Sequence, residues 1–221
     1  YMVSGYEFMS ISGEQGYRIG SQYQIGFAND FYRPITGTTG CMELQPGQVN
    51  WGLYNYQPYP GAVRMWLWHC FAGGCDFISS YRYRQILYGM EQFHYGMVGT
   101  DGVTPSRGGL EYAQFMKEIK ALRANLKAKI PKNYAAEKIA LMWNYDNIWN
   151  TDLLKQNDEW GGDWHLKKYY QVLKQFGLPV DIINESKDFS QYPFLIAPSY
   201  VLLDNHLIGR WKKYVENGGN L

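Results

Sequence analysis

Glu43 is the residue whose type and setting point most directly to chemistry. It lies in a short apolar run, Cys41-Met42-Glu43-Leu44, which reads as a strand ended by Pro46 and Gly47. A carboxylate there is unfavourable unless it faces a polar cavity or a partner. In a parallel barrel the C-terminal ends of the strands face the active site, and Glu43 sits one or two residues before its strand stops. The plainer reading is a strand-end glutamate that is merely solvated or salt-bridged, and the residue type alone leaves both open. Trp51, eight residues on, divides in the same way between core and pocket wall. Glu91 and His94 pair an acceptor with a donor or acceptor in one loop, an arrangement that also occurs as an ordinary surface pair.

Two further groups call for a reading. Arg82 and Arg84 alternate with Tyr81 and Tyr83, so on a strand both arginines would face one way. They are expected to form ion pairs that position acidic groups, Glu43 or Glu91 among them, with direct substrate contact as the alternative. Cys41, Cys70 and Cys75 are an odd set in a long chain, which argues against a disulfide framework and favours a reducing, cytoplasmic compartment without settling it. Their spacing matches no metal pattern, even with His69 beside Cys70, so buried thiols packing as small hydrophobes are expected and no metal or cofactor.

The elements that must hold these residues follow from periodicity. Residues 21–36 read as a helix, 41–44 as a strand, and 61–74, behind Pro60, as a helix apolar nearly all round. Residues 75–85 read as a second strand, and a long loop then runs to Gly109. From there to about Ala128, Tyr112, Phe115, Met116, Ile119, Leu122 and Leu126 fall on one helical face. Short strands alternating with helices are what the last repeats of a (β/α)8 barrel would look like. With only two strands visible, this part is not a whole barrel.

A polar stretch around Pro131 (residues 128–137) marks the expected boundary between a first part, residues 1–128, and a second, residues 129–221. In the second, strands are expected at 139–143, 180–183 and 194–197, and helices at 164–176 and 205–215, a flavodoxin-like doubly wound pattern. It shows no nucleophile elbow, since Ser199 lacks the G-x-S-x-G frame and no cysteine follows Cys75, and no phosphate-cradling glycine motif. Trp143, Trp149, Trp160 and Trp164 surround a polar loop, either as interface anchors or as cover for the domain's own core.

Composition narrows the partners. A net charge of +1, from 21 basic and 20 acidic residues, gives no reason to expect nucleic acid. No run of 18 uncharged apolar residues suggests a membrane span. Aromatics at 17%, with 20 tyrosines and 8 tryptophans, suit a site for neutral, hydroxyl-rich ligands, although large cores use them too.

Three stretches, MELQPGQVNWG, YPGAVRMWLWHCFAGG and YRYRQILYGMEQFHYGMVGTDGVTPS, in order and at natural spacings, closely resemble strands seven and eight and their loops in family 42 glycoside hydrolases. The resemblance covers roughly residues 20–125 through specific motifs, and the rest through architecture. It implies a retaining β-galactosidase on a (β/α)8 barrel with Glu43 as nucleophile. It further implies that Trp51 forms part of the galactose pocket and that Glu91 and His94 bond the galactose hydroxyls. The second domain would mediate assembly, commonly of trimers whose neighbouring subunits help wall the active site.

One departure qualifies this. The family's acid/base glutamate follows an asparagine at the end of strand four, and no such pair precedes Glu43, since Glu7 and Glu14 lack both the asparagine and the strand. A start at Tyr1-Met2-Val3 and an end where a helix cap leads toward a further strand also predict a piece of a longer protein. The expected function is therefore part of a β-galactosidase whose acid/base lies outside this chain. The alternative is a non-catalytic assembly or carbohydrate-binding module that keeps a relic of the barrel.

Overall fold

The computed structural model describes residues 14–52, 54–126 and 138–221. The expected boundary at residues 128–137 lies outside them. The described chain is an α/β protein with two compact units, one drawn from residues 1–29 and 38–132, the other from 30–37 and 133–221.

In the first unit, α1 (Glu14–Ile19) and the opening turns of α2 (Gln24–Thr36) lead to β1 (Thr39–Leu44), α3 (Ala62–Ala72), β2 (Cys75–Ser80) and α4 (Arg107–Asn125). β1 and β2 pair in parallel, Thr39 beside Cys75 and Leu44 beside Ser80, with irregularities between. Parallel neighbours need a crossover, and α3 supplies it. Among the described residues these two strands do not close a barrel. Leu44, Cys41, Val63, Trp66, Leu67 and Cys70 form the core with Ile25, Tyr112, Phe115 and Ile119. The thiols of Cys41 and Cys70 are buried, as expected, while Cys75 is half-buried with its Sγ 3.1 Å from Asn29 Oδ1.

Three expectations for this unit are corrected. β2 stops at Ser80 rather than Gln85, because the backbone beyond it bonds to a returning loop: Met97 N donates to Arg82 O and Val98 N to Tyr83 O. α4 begins at Arg107, ahead of Gly109, with Ser106 Oγ capping Gly109 N at 3.0 Å. Its first turn is glycine for a packing reason, since a Cβ at Gly108 would overlap the Pro46 carbonyl and one at Gly109 the Met97 carbonyl. On the expected apolar face of α4, Tyr112, Phe115 and Ile119 are buried but Met116 and Leu126 are exposed.

The second unit contains β3 (Ile139–Met142), α5 (Tyr145–Leu153), α6 (Gly162–Gln175), β4 (Val180–Ile183), β5 (Phe194–Ile196) and α7 (Asn205–Glu216). The sheet is parallel in the order β4-β3-β5, and Asn220 bridges to Phe194 on the outer side of β5. Alternation places Ala140 and Met142 with Ile183, Leu195, Leu207 and Tyr214 in one buried cluster. α5 is absent from the sequence reading; Asn144 caps it by accepting from Asn147 N at 2.7 Å. The four tryptophans differ: Trp143 is buried, Trp160 and Trp164 are half-buried, and Trp149 is exposed. Trp143 and Trp149 line a pocket of about 340 Å³ with Tyr145 and Glu185.

This unit also holds a buried charge network. Asp30, on the last turns of α2, takes Arg33 at 2.5 Å on Oδ1, and Tyr170 OH at 2.8 Å and Lys174 Nζ at 3.2 Å on Oδ2. Asp181, in β4, accepts from Lys138 Nζ and Tyr192 OH, both at 3.1 Å, and faces Arg33 at 3.8 Å. Burial, followed by the adjacent Asp181 carboxylate, pushes the Tyr192 phenol well above its ordinary range, so it remains a donor.

Candidate active site

Glu43 is exposed near the C-terminal end of β1, between Met42, also exposed, and the fully buried Leu44. Leu44 anchors this strand end, because its carbonyl accepts the buried Tyr112 hydroxyl from α4 at 2.9 Å. The chain then turns through Pro46 and Gly47, where Tyr95 packs at 3.0 Å from the position of a Cβ on Gly47, and Tyr95 N donates to Gln48 O at 2.9 Å. The loop after β1 and the loop after β2 are thus knitted together beside Glu43.

In the second loop Tyr81, Arg82, Glu91 and His94 converge. Tyr81 OH donates to Glu91 Oε2 at 2.7 Å, Arg82 Nη2 lies 3.2 Å from the same oxygen, and Arg82 Nη2 also donates to Tyr81 OH at 3.2 Å. The peptide between Tyr81 and Arg82 is cis. His94 is 1% exposed, meets the Tyr81 ring edge-on at 5.2 Å, and its ring nitrogens make no well-formed hydrogen bond among the described residues beyond a backbone contact with Tyr81. Burial lowers its pKa, against the pull of the nearby Glu91 carboxylate, so the ring favours its neutral form with one donor and one acceptor. Glu43 exerts a weaker pull on both Tyr81 and His94.

The structure therefore gathers Glu91 and His94 around Tyr81, with Glu43 within electrostatic reach. Trp51 is 58% exposed, outside the core of this chain, and no hydrogen bond or ring contact among the described residues ties it to the cluster. Arg82 pairs with Glu91, whereas Arg84 donates to the Thr100 carbonyl, so the two arginines do not share a face or a role. The sequence reading missed Tyr81, whose place in the Tyr-Arg alternation suggested a strand position rather than a hub. No group of three or more potential metal ligands occurs among the described residues.

A neutral imidazole and a half-exposed carboxylate beside a strand-end carboxylate make a site suited to reading hydroxyls. The family profile described as beta-galactosidase, of glycoside hydrolase family 42, matches residues 2–122, and the one described as beta-galactosidase trimerisation domain matches residues 137–221. The chain belongs to glycoside hydrolase family 42. Among its relatives, the beta-galactosidase BgaH of Haloferax lucentense is 31% identical over 92% of this chain and 29% of its own length. A beta-galactosidase of Thermus thermophilus is 32% identical over 82% of this chain and 27% of its own. Crystallised beta-galactosidase from the psychrophilic Marinomonas ef1 superposes with a TM-score of 0.84 at 29% identity, over 95% of this chain and 32% of that one. That of Halorubrum lacusprofundi gives 0.85 at 29%, over 97% and 31%. The chain thus spans about three-tenths of the length of these relatives.

Proposed function

We propose that these residues form the nucleophile-bearing part of a retaining β-galactosidase. Glu43 attacks the anomeric carbon of a terminal β-galactoside and forms a covalent glycosyl-enzyme. A second carboxyl about 5 to 5.5 Å away protonates the leaving oxygen and then activates water. That acid/base comes from residues outside these 221. Glu91 and His94 hold galactose hydroxyls, and Trp51 offers an apolar face to the sugar's C–H groups. The observation that carries the reading is the exposed Glu43 at a parallel strand's C-terminal end, within electrostatic reach of the buried His94, in a chain of this family.

The test is Glu43→Gln in the natural protein that carries this chain. Cleavage of a nitrophenyl β-galactoside should fall by about 10⁴-fold or more. A 2-deoxy-2-fluorogalactoside should leave a covalent mass on Glu43 in the unmutated protein. Wild-type turnover by the variant refutes the assignment.

The second unit supports a further reading as the element of homo-oligomeric, trimeric assembly. What favours it is its match to the trimerisation profile and the exposed Trp149 ring beside Tyr145, a rigid anchor suited to an interface. Trp149→Ala should lower the assembly state seen by light scattering at micromolar concentration.

A further inference from the structure

Tyr81 touches both residues assigned to the galactose hydroxyls, and it does so with two different parts of its side chain. The ring edge meets His94 at 5.2 Å with planes at 76°, and the hydroxyl donates to Glu91 at 2.7 Å. Arg82 reinforces the second contact from 3.2 Å and also donates to the Tyr81 hydroxyl. The hydrogen bond and the ion pair converge on a single oxygen, Oε2. Among the described residues the other, Oε1, takes no hydrogen bond, and Glu91 is half-exposed.

The asymmetry matters for recognition. A carboxylate on a flexible side chain can accept from many directions, so by itself it discriminates poorly between epimers. Holding one oxygen with a hydrogen bond and an ion pair restricts rotation about the last torsion and so orients the lone pairs of the other. An acceptor fixed in this way beside a fixed imidazole rewards only hydroxyls at matching positions, and a misplaced one leaves a buried polar group unpaired.

We propose that Tyr81 and Arg82 are positioning residues that set the stereochemical selectivity of the site, aiming Glu91 Oε1 and the His94 ring at adjacent hydroxyls of a neutral sugar. This rests on the reading of Glu91 and His94 as hydroxyl ligands. Tyr81 acts through its neighbours and needs no contact with the reacting atoms. Hydrogen bonding to Glu91 raises the Tyr81 pKa, which keeps the phenol a donor throughout the neutral range.

The experiment is a double-mutant cycle in the natural protein. Tyr81→Phe keeps the ring and removes the hydroxyl, so the packing on His94 survives. It should lower kcat/KM for a nitrophenyl β-galactoside about tenfold, mostly through KM, and narrow the preference over monodeoxy and epimeric nitrophenyl glycosides. In a Glu91→Gln background the same change should cost about twofold or less, because the group it positions is already gone. Arg82→Lys, which retains a cationic donor, should preserve selectivity better than Arg82→Met. Equal losses with Glu91 present or replaced, or unchanged selectivity in Tyr81→Phe, overturn the positioning role while leaving Glu43 and Glu91 as assigned. Wild-type kcat/KM in Glu91→Gln overturns the reading of Glu91 itself, and the proposal with it.

Discussion

The two units each contain a carboxylate, arginine and tyrosine constellation, and the contrast between them separates a candidate site from a structural network. In the second unit both oxygens of Asp30 are occupied, and Asp181 takes two donors on one oxygen while Arg33 faces the other at 3.8 Å. Asp30, Arg33 and Asp181 are all nearly inaccessible. In the first unit Glu91 is half-exposed with one oxygen engaged, and His94 is buried with only a backbone contact to Tyr81 at its ring nitrogens. The residue types match but the accessibility does not, since the Asp30 and Asp181 network is closed to solvent while Glu91 is half-exposed. Asp181 Oδ1 is also without a hydrogen bond, but it is sealed inside the unit, whereas the oxygen left over on Glu91 is open to a ligand.

The sharpest way to break this comparison is to remove a partner from the buried network. Asp30→Ala removes the buried carboxylate that Arg33, Tyr170 and Lys174 share, and should destabilise the protein by about 3–5 kcal/mol in urea unfolding, the usual cost of breaking a buried ion pair from one side. Loss of activity without loss of stability would show that the network has a role beyond structure. Glu91→Gln should do the opposite, costing about 1 kcal/mol or less because its ion pair with Arg82 is partly exposed, yet lowering kcat/KM about 10- to 100-fold.

The smallest effect concerns pH. The folded pKa of His94 is depressed below the unfolded value of about 6.5, so the unfolded chain binds more protons as pH falls through that value. This stability contribution is present above about pH 6.5 and is lost as pH falls toward and below the folded pKa. Melting temperatures from pH 7.5 to 5 should therefore drop less steeply in His94→Gln than in the unmutated protein. Parallel slopes would mean that the ring is not held neutral by burial.

Legibility from sequence followed the physics of each element. β4 was readable to the residue because a strand buried on both faces is a continuous apolar run interrupted only by Asp181. β2 was overextended because Tyr-Arg-Tyr-Arg mimics strand alternation, whereas its backbone partners belong to a loop that only tertiary pairing reveals. α5, YDNIWNTDL, is rich in Asn, Asp and aromatics of low helix propensity, and its one signal was the Asn144 cap. Within the candidate site, Glu43, Glu91 and His94 were singled out through motif resemblance. Tyr81 was not, because its importance lies in two contacts, one ten residues away and the other thirteen, that no periodicity encodes.

The path of α2 has a practical consequence for anyone dissecting the protein. Its residues 24–29 pack in the first unit and 30–36 in the second, far upstream of the rest of that unit. A recombinant piece begun at residue 129 would lack Asp30 and Arg33, leaving Asp181 and Tyr170 short of partners they have in the intact chain. Supplying residues 24–37 as a separate peptide, or fusing them ahead of β3 through a flexible linker, would restore those partners and make the second unit a candidate for independent study.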